Sequence, residues 1–219
     1  YGAAWGIATG RSLYQLIEGL NDADFPFLPD FVIVREREIF FPGQFGRWVP
    51  DENWNRRCEK DHNRLFRKCK RALAKIKDHI EVNTDARWVS VEGDAAGIVS
   101  STEEEMDAIL RIIEKLALHS DLTFERNSIY LRFSHRAYRK GTCLKEAANR
   151  WGLECDKILA IGDNHNDLSM LQPEICEACG CPANAIQEVR DYVTERGGKV
   201  AANPGSIGVM EVMKHYFDQ

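Results

Sequence analysis

The stretch Lys157-Ile158-Leu159-Ala160-Ile161-Gly162-Asp163-Asn164-His165-Asn166-Asp167-Leu168-Ser169-Met170-Leu171 drives an apolar run straight into two carboxylates four residues apart. Residues 157–161 have the short, apolar character of a strand buried in a parallel sheet, and Gly162 permits a tight exit. Leu168, Met170 and Leu171 predict the apolar side of a following helix. Ligands in open α/β sheets bind beyond the carboxyl ends of the strands, which puts Asp163 and Asp167 at a binding edge. Magnesium takes oxygen ligands and shares its shell with substrate phosphate, so the stretch reads as half of a magnesium and phosphate site. An isolated Gly-Asp pair would read only as an Asx cap at a helix start. Strand, glycine, paired acids and helix in succession carry the stronger reading.

Working outward, residues 3–8 read as a strand, 11–20 as a helix with Leu13, Leu16, Ile17 and Leu20 on one face, and 31–34 as a fully apolar strand. This is a βαβ pattern. A return through residues 39–41 meets Pro42-Gly43, and the character then changes. Residues 51–79 are charge-dense with Leu65, Phe66, Cys69, Leu73 and Ile76 at helical spacing, which predicts a long exposed helix with one packed stripe. Short alternating strands are expected at 80–83, 88–92 and 97–100. Thr102 with Glu105 predicts a capping box before a helix carrying Met106, Ile109, Leu110, Ile113 and Leu116, and strands return over 123–133. After Ser134 the α/β rhythm resumes, with Lys140 at the mouth of a helix over 142–151 and an amphipathic helix over 206–217. The expected class is α/β: a Rossmann-like doubly wound parallel-sheet core, residues 1–43 and 137–219, interrupted by an α+β module over 44–136.

The 219 residues are 44% hydrophobic and 29% charged, an ordinary globular composition. A net charge of −5 argues against a general nucleic-acid or anionic-membrane binder, which needs a dominating basic face. Any phosphate must be met locally. No apolar stretch approaches the roughly 20 residues of a spanning helix. The seven cysteines, an odd number scattered through helix-like and strand-like segments, predict free thiols in a reducing cytoplasm. Cys176, Cys179 and Cys181 lack a second pair at zinc spacing and read as small buried hydrophobes.

Gly-Asp-Asn-His-Asn-Asp-Leu-Ser-Met-Leu resembles the fourth motif of haloacid dehalogenase superfamily phosphatases, in the Cof-type and sucrose-phosphatase-like branch with a large cap. Ile7-Ala8-Thr9-Gly10-Arg11-Ser12 resembles the second motif, and Arg139-Lys140-Gly141 the third, a lysine opening a helix. Pro182-Ala183-Asn184-Ala185 with its following helix resembles the closing turn, so the likeness spans nearly the whole chain. The module at 44–136 stands where that family carries its C2-type cap.

The resemblance implies magnesium-dependent hydrolysis of a small phosphorylated metabolite, a sugar phosphate or related polyol phosphate, through an aspartyl-phosphate. It casts Thr9, Lys140, Asp163 and Asp167 as catalytic, with Thr9, Gly10, Arg11, Lys140 and Asn166 on the substrate phosphate. Asp163 would hold magnesium directly, and Asp167 would ligate through water or hold Lys140. Two departures stand out. The family's first motif, Asp-x-Asp after an N-terminal strand, carries the nucleophile and is absent, so the sequence is expected to start inside the first crossover. Asp22-Ala23-Asp24 is a helix exit and takes no catalytic role. Relatives also tend to show Asn-Gly where this chain has Arg35-Glu36-Arg37, which predicts a longer turn or one of another type. A phosphomutase or phosphotransferase is the enzymatic alternative, and a ligand-binding protein without catalysis is the alternative from another class. Arg47, Trp48, Trp88 and His165 are residue types that suit a polar leaving group, yet packing and solvent exposure account for them more simply. Oligomeric state does not follow from these residues.

Overall fold

A computed structural model describes residues 2–91, 94–116 and 118–218. In chain order the first elements are β1 (Gly6–Ala8), α1 (Leu13–Asp22), β2 (Phe31–Val34), β3 (Glu38–Pro42), β4 (Trp48–Pro50) and α2 (Glu52–Asn83). β5 (Arg87–Val91), β6 (Asp94–Val99), α3 (Glu103–Glu114), β7 (Leu122–Asn127) and β8 (Tyr130–His135) follow. The chain closes with α4 (Lys140–Asn149), β9 (Leu159–Ile161), β10 (Ala178–Cys181), α5 (Gln187–Glu195), β11 (Lys199–Val200) and α6 (Gly205–Phe217). Two compact units result, residues 1–58 with 138–219, and residues 59–137.

The first unit is a doubly wound α/β arrangement. β1 and β2 run parallel with Ile7 opposite Val32, which needs a crossover such as α1 between them, and β3 and β4 then add antiparallel. β9, β10 and β11 form a second parallel sheet in the order β11-β10-β9. Ala8 and Leu144 pack against the buried clusters of both sheets, so the two share one interior. The unbroken run Phe31-Val32-Ile33-Val34 is buried at every position, the signature of a strand covered on both faces. Each such side chain contributes about 1.5–3 kcal/mol over leaving it in water. Trp54 and Cys58, on the first turns of α2, are buried in this unit, and the Trp54 indole N–H donates to the Arg37 carbonyl at 2.8 Å.

The second unit is an antiparallel sheet in the order β5-β6-β8-β7 with two helices packed on it. Leu65, Cys69, Leu73, Ile76 and Ile80 form the stripe that α2 buries, and Met106, Ile109 and Ile113 do the same on α3.

Several local expectations change. Residues 80–83 are the last turn of α2 rather than a strand, because Ile80 continues the Ile76 stripe into the same core. Glu105 completes no capping box. Its backbone N–H donates to the Thr102 hydroxyl at 3.1 Å, but its carboxylate reaches past Thr102 to the Ser101 N–H and hydroxyl and the Asp85 N–H, all at 2.7 Å. Those bonds, led by Ser101, hold the Glu105 carboxyl below its ordinary pKa. The helix expected after Gly162 is a short 3₁₀ turn, His165–Asp167, followed by further turns. Asn164 Oδ1 and Asp167 Oδ2 take the backbone N–H groups of residues 163–165, side-chain bonds that compete with helix propagation. Glu92, the last residue of the strand expected at 88–92, lies outside the described residues. All seven cysteines are free thiols, and Cys181 is fully buried in β10.

Candidate functional site

Four buried polar residues of the first unit meet at the carboxyl ends of its strands: Glu36, Lys140, Asn166 and Asp167. Lys140 is the first residue of α4, so its ammonium stands near a helix N-terminus and needs anions to hold it there. Asp167 Oδ1 accepts from Lys140 Nζ at 2.7 Å, and Glu36 Oε2 lies 3.4 Å from the same nitrogen. Burial alone would pull the Lys140 pKa down, but the charges of Glu36 and Asp167 outweigh it and raise the pKa, so the amine stays charged.

Asp167 is saturated. Its second oxygen, Oδ2, accepts the backbone N–H of Asp163 at 2.9 Å and of Asn164 at 3.2 Å. Gly162 is required at the strand exit, since a Cβ there would run into the Asp167 side chain. Asp163 itself faces solvent. Crowding by the surrounding protein, with the Asp167 carboxylate beside it, pushes the Asp163 carboxyl above its ordinary pKa, against the opposing pull of Lys140.

The segment after β1 joins this cluster through its backbone. Thr9 N–H donates to the Ile33 carbonyl at 2.8 Å, and the Thr9 carbonyl accepts from Glu36 N–H at 3.1 Å. The Thr9 hydroxyl accepts from Arg11 N–H at 3.2 Å, while Ser12 is the residue that caps α1. Gly10 lies against Glu36, where an added Cβ would stand 2.6 Å from Oε1. Arg11 is exposed, and its guanidinium lies beside Gly19 of α1, 3.0 Å from where a Cβ there would sit. The structure therefore gathers Gly10, Lys140, Asn166, Asp167 and the backbone of Thr9 and Asp163, and leaves Arg11 apart from the buried cluster.

Glu36 has no counterpart among the expected site residues. It sits on the turn between β2 and β3, which the missing Asn-Gly was expected to lengthen or change. Val34 pairs with Glu38, so the loop is three residues long, Arg35 to Arg37, one more than the two-residue Asn-Gly turn. Within it Arg37 N–H donates to the Val34 carbonyl at 3.1 Å, and Arg35 and Glu36 take left-handed φ values of 50° and 69°, which their side chains do not suit. The left-handed backbone costs about 1–2 kcal/mol per non-glycine residue. Glu36 Oε1 accepts from Asn166 Nδ2 at 2.9 Å; among the described buried side-chain oxygens, Glu36 Oε2 and Asn166 Oδ1 take no hydrogen bond, Oε2 meeting Lys140 as an ion pair only.

The residue types that suit a leaving group have plainer roles. Trp48 packs on the Leu16, Val32 and Val34 cluster, and Trp88 lies 5.9 Å from the Phe133 ring in the second unit's core. Arg47 is exposed. His165 Nδ1 is 3.0 Å from Asn164 Oδ1 and its Nε2 3.4 Å from Glu188, so it braces the turn.

Among the described residues, no group of three or more His, Cys, Asp and Glu side chains is arranged to enclose a metal ion. Magnesium does not require one, because it binds through one or two carboxylates and completes its shell with water and phosphate oxygens. Asp163 is the exposed carboxylate here, and the raised pKa that crowding and the Asp167 charge give it is the kind of penalty a bound cation offsets.

The family of haloacid dehalogenase-like hydrolases matches residues 30–203. A phosphoglycolate phosphatase of Methanothrix thermoacetophila is 31% identical over 111 residues, covering 51% of this chain and 46% of that protein. The chain spans about half the length of the curated relatives it matches. Among solved structures, the sucrose-phosphatase of Synechocystis sp. PCC6803, in complex with sucrose and phosphate, is similar with a TM-score of 0.72 and 16% identity. The match covers 96% of this chain and 83% of that one. A subclass IIB sugar phosphatase of the same superfamily gives a TM-score of 0.56 at 21% identity, covering 98% and 86%. The motifs, the split α/β unit and the extent of the family match agree: this chain belongs to the haloacid dehalogenase-like hydrolases.

Proposed function

We propose that the protein is a magnesium-dependent phosphatase acting on a small phosphorylated metabolite, with sugar phosphates the favoured class. The observation that carries this is the buried Lys140 ammonium, held by Asp167 and Glu36 at the strand ends beside the exposed Asp163 carboxylate. A fixed cation beside an anion that invites a divalent ion is what a phosphoryl group needs, since charge develops on its oxygens during transfer. The names of the relatives, phosphoglycolate phosphatase and sugar phosphatase, support hydrolysis of a phosphate ester.

In this reading Lys140 gives a point charge to the phosphoryl oxygens. Thr9 and Gly10 offer a hydroxyl and backbone N–H groups to the same oxygens, with Arg11 at the rim. Asp163 would hold magnesium, which when bound offsets phosphate charge. Asp167, with both oxygens committed, acts by holding Lys140 and the Asp163 turn, and Asn166 braces the pocket. The attacking carboxylate that the family places before Thr9 is not in the sequence, and it belongs to the complete reaction. Residues 1–43 and 137–219 form the catalytic core in this proposal, and 44–136 the C2-type cap that selects the leaving group. The free thiols fit a reducing cytoplasm. No described helix is long and apolar enough to cross a membrane.

The test is release of inorganic phosphate from a panel of sugar phosphates with magnesium, for the full-length protein and its Asp163→Ala variant. The proposal expects magnesium-dependent release that the variant loses. Parent-like activity in the variant rejects Asp163 as the ion's ligand, and transfer of phosphate to a sugar hydroxyl in place of release moves the protein to the phosphotransferases.

A further inference from the structure

The turn between β2 and β3 holds Glu36 in a conformation that Asn or Gly would adopt more easily, and the carboxylate turns inward rather than to solvent. Its Oε1 accepts from Asn166 Nδ2 at 2.9 Å, its Oε2 faces Lys140 Nζ at 3.4 Å, and Gly10 leaves the room it occupies. Strained backbone persists where the surroundings over-determine it, and here they join three separate segments of the chain.

We propose that Glu36 is a positioning residue for phosphoryl transfer: with Asp167 it fixes the Lys140 ammonium from two sides, and it sets the direction of the Asn166 amide. The inference rests on the phosphatase reading of this site. An ammonium has three N–H donors. Asp167 accepts one, the Glu36 carboxylate draws a second side of the group toward itself, and the remaining direction is left for a phosphoryl oxygen. Because Asn166 Nδ2 is committed to Glu36, its buried Oδ1 is the atom left over, an acceptor for a ligand hydroxyl or a water. Without the Glu36 charge, the lysine keeps a single anionic partner and the amine gains a choice of directions.

Glu36→Gln keeps the side-chain length and the bond from Asn166 while removing the charge; Arg35→Gly relieves the same turn and leaves the carboxylate in place. Both are compared with the full-length parent on p-nitrophenyl phosphate and on a sugar phosphate, with magnesium. Glu36→Gln is expected to lower kcat/KM about 10- to 100-fold, the range found when a residue supporting a site's contacts is removed. The loss appears with both esters alike, because Lys140 meets the phosphoryl group they share. Arg35→Gly is expected to keep activity within about twofold. Parent-like activity in Glu36→Gln overturns the proposal, as does an equal loss in Arg35→Gly, which would trace the effect to turn shape. Should Glu36→Gln fail to fold, Glu36→Asn, tolerant of left-handed φ, carries the same comparison. A parent that releases no phosphate sinks the phosphatase reading instead. The brace is then judged from acylation of the Lys140 amine, followed by peptide mass spectrometry: faster labelling in Glu36→Gln supports it, and equal rates overturn it.

Discussion

The Asp167 carboxylate accepts the Lys140 ammonium at 2.7 Å through one oxygen, while its other oxygen holds the backbone of the turn that presents Asp163. One side chain thus couples the cation of the site to its exposed anion. Lys140→Met would leave Asp167 and Glu36 buried as adjacent anions with no counter-charge. Breaking a buried pair from one side costs about 3–5 kcal/mol. Urea unfolding should show a loss of that order, and adding Glu36→Gln to the same variant should recover part of it. A double variant no more stable than Lys140→Met alone would show that the two charges are not coupled.

Asp163 carries a sign that can be checked by pH. Its folded pKa lies above the ordinary carboxylate value of about 3.9, so the folded state binds the proton more tightly than the unfolded state does. As pH rises from that ordinary value through the folded one, this group withdraws stability, and above both the loss is complete. Asp163→Asn lacks the effect. With chelator present, its stability advantage over the parent should widen as pH rises through this window and then level off. At neutral pH, magnesium should raise the parent's unfolding midpoint and leave that of Asp163→Asn unmoved.

Gly141 follows Lys140 at the start of α4, and a Cβ there would drive into the Ser169 carbonyl of the turn carrying Asn166 and Asp167. Backbone cannot yield as a side chain can. Gly141→Ala should cost about 1–3 kcal/mol by overpacking, and it should lower activity by shifting Lys140 away from Asp167. Thermal melts with parallel phosphate release check both; a variant with parent-like melting shows that the two segments move apart freely.

Among the seven thiols, Cys155 is the one not buried. Burial pushes the Cys69, Cys143, Cys176, Cys179 and Cys181 thiols above their ordinary pKa, which keeps them protonated and slow to react. A native-state reaction with a thiol-specific disulfide reagent should give one fast equivalent, removed by Cys155→Ser, with the rest appearing on denaturation. Several fast equivalents would mean that the β10 region opens readily.

Much of the site was legible because its signals are local. The apolar strand, the glycine exit and the acids after it lie within one stretch, and Lys140 and Thr9 sit at helix and strand ends recognisable from their neighbours. The errors arose where distant contacts override local pattern. Ile80 and Val82 alternate as strand residues do, yet Ile80 extends a helical stripe whose partner sheet lies elsewhere in sequence. The segment after Gly162 carries helix-like apolar spacing, but Asn164 and Asp167 spend their side chains on the backbone and hold it as turns.

The sequence by itself determined the α/β class, and it nominated the candidates for phosphate chemistry, because periodicity and strand-end motifs are properties of adjacent residues. Only the tertiary structure decided that Asp167 is committed to Lys140 and that Glu36 is buried beside them. A charged residue in a hairpin turn reads as solvent-facing until its partner is known, and Asn166 lies 130 positions away along the chain. Electrostatic pairing depends on distance in space, and that distance is fixed only when the sheet brings its strand ends together.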